Sequence, residues 1–149
     1  MHLTQLSPVL EATLQKAGFE AAELNHEARE PGHLLIGIMT MPQNPARTVL
    51  EDFGIDIRKL RSVIAKKYPQ VGDNMGYIDA SSTATYDVFD RADELAQKDR
   101  DHVALQRLDH LLRALVVVDP VVVVVLVDFG IGSRGILGRL DIEVANSSN

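Results

Sequence analysis

The sequence predicts an all-α fold made of two tandem four-helix repeats, about eight helices in all. Three observations carry that expectation. The chain repeats itself, its helix starts are marked by cap–proline pairs, and its apolar residues recur at helical spacing. The repeat comes first, because it changes every later reading. TVLEDFGIDIRKLRSVI from Thr48 aligns with VVLVDFGIGSRGILGRL from Val124. GHLLIGIM from Gly32 aligns with DHLLRALV from Asp109, His26 with His102, and Asn44-Pro45 with Asp119-Pro120. All four matches fall in the same order at offsets of about 75–77 residues, so a unit of roughly 70 residues is duplicated.

The expected organisation is a first repeat over 3–67, a linker over 68–81, a second repeat over 82–140 and a polar tail over 141–149, together one domain. In the first repeat Leu10, Leu14, Ala17, Ala21 and Leu24 alternate spacings of four and three, one stripe of a helix opened by Ser7-Pro8. Gly18 weakens its middle by about 1 kcal/mol and marks a candidate break. Leu34, Leu35 and Ile38 form a short second helix. Asn44-Pro45 opens a third, which Gly54 closes after Phe53. Asp56 caps a fourth, with Ile57, Leu60 and Ile64 inward and Arg58, Lys59 and Arg61 toward water.

The linker contains the aperiodic, Pro/Gly-rich stretch from Tyr68 to Tyr77. The second repeat opens near Ser82, with Thr85, Val88, Phe89, Ala92, Leu95 and Ala96 on one face. Val121 to Val125 would be a strand by propensity alone. The Asp119-Pro120 pair and the helical counterpart in the first repeat predict a helix instead, giving two helical bundles and no sheet.

Composition removes several classes of function. There are 149 residues, 15 Lys+Arg against 21 Asp+Glu, a net charge of -6 and no Cys. A disulfide scaffold, a zinc ribbon and a thiol nucleophile are excluded. The acidic balance argues against nucleic acid and anionic membrane as partners. The apolar run from Ala114 to Val127 is shorter than the ~20 residues a membrane crossing needs and is broken by Asp119-Pro120. The opening residues lack a secretory pattern, so the expected location is cytoplasmic.

No motif supports catalysis or a cofactor. Gly130-x-Gly132-x-x-Gly135 imitates a dinucleotide turn, but the residues after it are too few for a βαβ unit and for its acidic ribose contact. It reads as a connection between helices. Asp-Phe-Gly occurs at Asp52 and Asp128 without the other kinase motifs, and no phosphate loop is present. His33 and His110, like His26 and His102, occupy duplicated positions and read as structural; no spacing predicts a metal site. Arg58, Lys59, Arg61, Lys66 and Lys67 read as a solvated helix face.

The duplicated blocks GHLLIGIM/DHLLRALV and LEDFGI/LVDFGI, each with a Pro-started helix before DFGI, resemble the Clp N-terminal repeat domain, the front domain of Clp-type AAA+ unfoldases. The resemblance runs from about Leu3 to Leu140. It implies a pseudo-twofold, all-α domain that binds client or adaptor proteins and passes clients to an ATPase ring. In ClpC-type members the acidic residue before each His of the HLL block holds the guanidinium of phosphorylated arginine. By position that residue is Asp109, beside His110, in the second repeat; in the first it is Gly32, which has no carboxylate. The resemblance therefore implies candidate binding residues Asp109 and His110, and at most one phosphoarginine or Arg-rich peptide site. A free-standing adaptor, decoy or accessory regulator of a Clp protease and an excised front domain are both compatible with it. The rival of a different class is a helical enzyme or small-ligand regulator, for which no constellation is present.

Overall fold

The structure, a computed structural model, describes residues 6–72, 76–98 and 106–147. Its helices are α1 (Pro8–Glu23), α2 (Pro31–Thr40), α3 (Pro45–Asp52), α4 (Ile57–Ala65), α5 (Thr83–Gln97), α6 (Leu108–Val118), α7 (Pro120–Asp128) and α8 (Ser133–Ser147). Among the described residues there is no strand, only the isolated bridges His26–Gln70 and Arg29–Ser81.

The caps follow from local chemistry, a short side-chain acceptor reaching an unpaired N–H of the first turn. Ser7 Oγ accepts from Leu10 N at 3.3 Å, Asn44 Oδ1 from Arg47 N at 3.0 Å and Asp119 Oδ2 from Val122 N at 2.9 Å. Asp56 and Ser82 do the same for α4 and α5.

The duplicated DFGI is a helix stop. Gly54 and Gly130 take φ of 83° and 76°. The amide of the following isoleucine reaches back five residues, Ile55 to Leu50 O at 3.1 Å and Ile131 to Leu126 O at 2.9 Å. Both isoleucines are buried, which completes a Schellman termination. Gly130 and Gly132 therefore lie in the connection from α7 to α8, Gly135 in the first turn of α8, and no strand precedes them. The valine run is α7: Val122, Val125 and Leu126 are buried where α3 buries Ala46, Val49 and Leu50.

Helices α2 and α6 lie at the centre, packed against each other and against neighbours from both repeats. The repeats interleave. Helix α3 packs on α8 and α6, while α7 packs on α4 and α2, as a pseudo-twofold exchange requires. The buried apolar side chains form one cluster running from Leu10 to Leu140. The expected two bundles are thus one shared core, because each repeat covers the other's central helix.

Two local expectations are corrected. Helix α1 runs through Gly18 without a break. A Cβ there would strike the Tyr77 ring and, at 2.5 Å, Ile78 O; Ile78 N donates to Gly18 O at 3.1 Å. The glycine admits the linker onto the helix. The segment expected as a polar tail from 141 onward continues α8 as far as Ser147. Arg113–Asp141 and Arg139–Glu143 ion pairs hold it, and Val144 packs at the core's edge.

Hydrogen bonds also fasten the linker to the α1–α2 turn. Val71 N donates to Asn25 O and Arg29 N to Ala80 O, both at 2.7 Å. The buried Arg29 side chain donates to Asp79 O at 2.6 Å and Ser81 Oγ at 2.8 Å. Among the described residues no single helix is long and apolar enough to cross a membrane; the apolar run divides into α6 and α7, bent by 95°.

Candidate functional site: the starts of the two central helices

The HLL blocks place equivalent residues at the first turns of α2 and α6. His33 and His110 each occupy the third helical position. Their Nδ1 atoms accept the amide of the residue before the helix, Glu30 N at 2.8 Å and Arg107 N at 2.9 Å. This is the second half of a capping box, with imidazole in the place of the usual Glu or Gln. Both rings are buried. Each histidine thus caps the start of its helix, and His110 is buried there.

In the first repeat the hydrogen bonds fix the tautomers. Because His33 Nδ1 accepts, its Nε2 carries the proton and donates to His26 Nδ1 at 2.7 Å. His26 Nε2 then donates to Ala65 O at 3.2 Å, at the end of α4. Tyr68 packs against both rings with centroids 5.5 Å away. Burial lowers the pKa of His26, and burial together with His26 lowers that of His33 to about 3. Both imidazoles are neutral relays of one chain of hydrogen bonds. His102, the counterpart of His26, lies outside the described residues.

The second helical position separates the halves. In α6 it is Asp109, whose side chain is only 5% exposed, held by Arg107 from outside the helix. Arg107 Nε donates to Oδ1 at 2.9 Å and Nη2 to Oδ2 at 3.2 Å, the forked geometry that suits a carboxylate. In α2 the position is Gly32, whose N–H donates to Tyr68 Oη at 3.1 Å. A Cβ there would meet Ile64 Cδ1 at 2.7 Å and the Tyr68 ring at 3.1 Å.

The family resemblance pointed to Asp109 and His110 as candidates and to the missing carboxylate at Gly32; it did not point to Arg107 or Tyr68, which the structure places against these two positions. Arg107 stands two residues from Asp109 and could have been tested as its partner. Tyr68 lies 36 residues from Gly32, and no local pattern joins them. Beside Tyr68, burial raises the pKa of Glu30, which hydrogen-bonds Ser82 and lies near Asp119 and Glu27; burial raises Asp119 as well.

Of the expected basic face, Arg58 and Lys59 are exposed. Arg61 forks onto Glu20 at 2.8 and 3.0 Å, and Lys67 pairs with Asp128 at 2.8 Å. Among the described residues no group of three or more His, Asp or Glu could hold a metal ion, and no buried side-chain polar atom lacks a partner.

The family model of the Clp repeat (R) N-terminal domain matches residues 5–129. Three solved structures share the architecture. The N-terminal domain of the chaperone ClpD from Arabidopsis thaliana is 18% identical, with a TM-score of 0.74 and 97% of each chain covered. The Hsp104 N-terminal domain from Candida albicans is 17% identical, with a TM-score of 0.69, covering 91% of this chain and 88% of that one. A structure described as part of a malarial protein secretion system is 17% identical, with a TM-score of 0.65, covering 93% and 94%. No curated protein sequence gives a significant match.

Proposed function

Because the chain belongs to the Clp repeat N-terminal domain family, we propose that it is a non-catalytic binding module that receives client or adaptor proteins on behalf of a Clp-type unfoldase. The observation that carries this reading is the family match over both repeats, from residue 5 to residue 129. The interior is consistent with it: each described buried polar side-chain atom is committed to a structural bond, and histidines that could have served as acid–base groups are capping helices.

Within that reading, the arginine-type ligand implied by the family is assigned to one half only. Asp109 offers a carboxylate and Gly32 offers none. Its chemistry is a planar guanidinium against a carboxylate at a helix start, with backbone N–H groups nearby for an attached anion.

The test is titration of the fluorescently labelled full chain with a permanently unfolded polypeptide and, separately, with an assembled Clp AAA+ ring. Saturable binding to the unfolded polypeptide, with flat calorimetric traces for millimolar ATP and NAD, is the expected result. Binding to the ring alone would make the chain an accessory or decoy subunit. Binding to neither partner would remove the reading altogether.

A further inference from the structure

We infer that the face shared by α4 and α7 is a docking seat for an acidic amphipathic helix of a partner protein, an inference that rests on the binding-module reading above and names the chemistry of one partner.

The two helices meet along a defined edge. Helix α4 packs on α7, and Lys67, just past the end of α4, pairs with Asp128 at the end of α7 at 2.8 Å. The opposite flank of α4 faces α1, where Arg61 forks onto Glu20. Lys59, Val63 and Lys66 recur at i, i+4 and i+7, so they form one stripe on the α7 side. Val63 is partly buried against the core, whereas Lys59 and Lys66 are exposed. On α7, Val124 lies one turn before Asp128 on the same face, with Val127 next to it. Both valines are exposed. A row of cations borders a row of apolar side chains.

Neither row is used by the fold. Lys59 and Lys66 make no ion pair with a described residue. The duplicated half supplies the comparison, because aligning the DFGI stops sets α3 and α8 against α7 and α4. Val124 and Val127 are matched by Thr48 and Glu51, and Lys59 and Lys66 by Gly135 and Ile142. The charges of that other face satisfy one another. Glu51 pairs with Arg47, and Asp52 and Glu143 share Arg139. The inward positions stay apolar in both halves, Leu60 with Ile136 and Ile64 with Leu140, all buried. The core therefore requires neither the lysines nor the outward valines.

The occupant follows from charge complementarity. A partner that covers Val124 and Val127 brings its edge over the lysines, where carboxylates are the matching groups. By the helical rise the lysines stand about 10 Å apart along α4, the spacing of two acidic residues seven apart on a partner helix. Among the described residues there is no strand for an extended peptide to join, so helix-on-helix packing is the available mode. A nucleic acid or an anionic membrane would meet these lysines on a chain of net charge -6, whose remaining surface repels a polyanion. A short acidic helix touches this face alone.

The experiment uses the full chain and a labelled synthetic helix with one leucine stripe and glutamates seven residues apart along its edge. Wild type is expected to prefer this peptide to its glutamine twin by about three- to tenfold. Lys59→Gln/Lys66→Gln should lose that preference, and Val124→Thr/Val127→Thr should weaken both peptides about tenfold or more. Lys16→Gln, at an exposed lysine of α1, should change neither. The wild-type preference should also shrink between about 0.05 and 0.5 M salt, a readout that stands even if a variant proves unstable.

Equal binding of the glutamate and glutamine peptides overturns the seat. So does a loss in Lys16→Gln equal to that in the Lys59/Lys66 variant. Tighter, lysine-dependent binding to phosphatidylglycerol vesicles would give the face to a membrane, and a wild-type dimer dissolved by Val124→Thr/Val127→Thr would give it to a second copy; either overturns the seat. These outcomes leave the binding-module reading standing if unfolded polypeptide or the Clp ring still binds. Conversely, capture of the acidic helix by a chain that binds neither would sustain the seat and overturn the client reading.

Discussion

His33 Nε2 donates to His26 Nδ1 across 2.7 Å, the middle link of a chain from Glu30 N to Ala65 O that is complete only when both rings are neutral. Protonating His33 would set a new N–H against the Glu30 amide; protonating His26 would set one against His33 Nε2–H. Each charged form loses a bond in a buried site. The sign of the pH effect follows. Above pH ~6.5 the rings are neutral in folded and unfolded chains alike. As pH falls below that value the unfolded chain takes up protons that the folded one refuses, down to about 3 for His33. Stability should then drop by at most about 1.4 kcal/mol per pH unit per histidine. Burial raises Glu30 and Asp119, which acts in the opposite sense in the carboxylate range, so the histidine signature is clearest between pH 7 and pH 5. Urea midpoints across that window should fall for wild type and flatten for His33→Gln, whose amide oxygen can still accept from Glu30 N. Parallel slopes would remove the neutral relay.

Gly32 is small because Tyr68 and Ile64 stand over it. Gly32→Ala should cost about 1–3 kcal/mol through overpacking, despite alanine's better helix propensity. Gly32→Ala in a Tyr68→Ala background should cost less than in wild type, since the ring it meets at 3.1 Å is gone. Thermal unfolding of the four proteins makes a double-mutant cycle. A zero interaction term would show that the ring is not the obstacle.

Neither repeat should fold alone. A fragment ending at residue 75 keeps α2 but loses α6 and α7 from its flanks, exposing side chains such as Leu35 and Ile36 that are wholly buried in the full chain. Far-UV circular dichroism of residues 1–75 and of 76–149 should show far less helix separately than when mixed. A cooperative unfolding transition in either fragment by itself would contradict the shared core.

Short-range features were legible in the sequence. Ser7, Asn44, Asp56, Ser82 and Asp119 cap because the acceptor and the orphan N–H lie within three residues of each other. The valine helix was legible only through the repeat, since propensity at Val121 to Val125 points to a strand and the buried face of α7 overrides it. What escaped was set by contacts across the chain. Gly18 is matched to Tyr77, Gly32 to Tyr68, and α3 to α8, and no periodicity encodes these pairings. The end of α8 was missed because residues 141 to 147 are largely exposed and carry no regular apolar stripe, and ion pairs to α6 and within the helix hold them.

Helix α7 exposes apolar side chains where α3 exposes polar ones. Aligning the two DFGI stops places Val124 at the position of Thr48 and Val127 at that of Glu51; Val124 is 48% exposed and Val127 60%. In α3, Glu51 instead pairs with Arg47 at 3.2 Å. Valine contributes no burial at such positions and is a weaker helix former than glutamate by a few tenths of a kcal/mol. A run of adjacent valines without charge or proline is also prone to β-aggregation once unfolded. Val124→Thr/Val127→Glu should therefore change folding stability by no more than about 0.5 kcal/mol per site and slow aggregation on heating. Val125→Ala, at a wholly buried neighbour, should cost on the order of 1–3 kcal/mol through lost packing. Chemical denaturation and light scattering during a thermal ramp separate the two effects. A loss at Val124/Val127 as large as that at Val125 would mean that the outward valines are packed, and that the correspondence between α3 and α7 has been drawn one residue out of register.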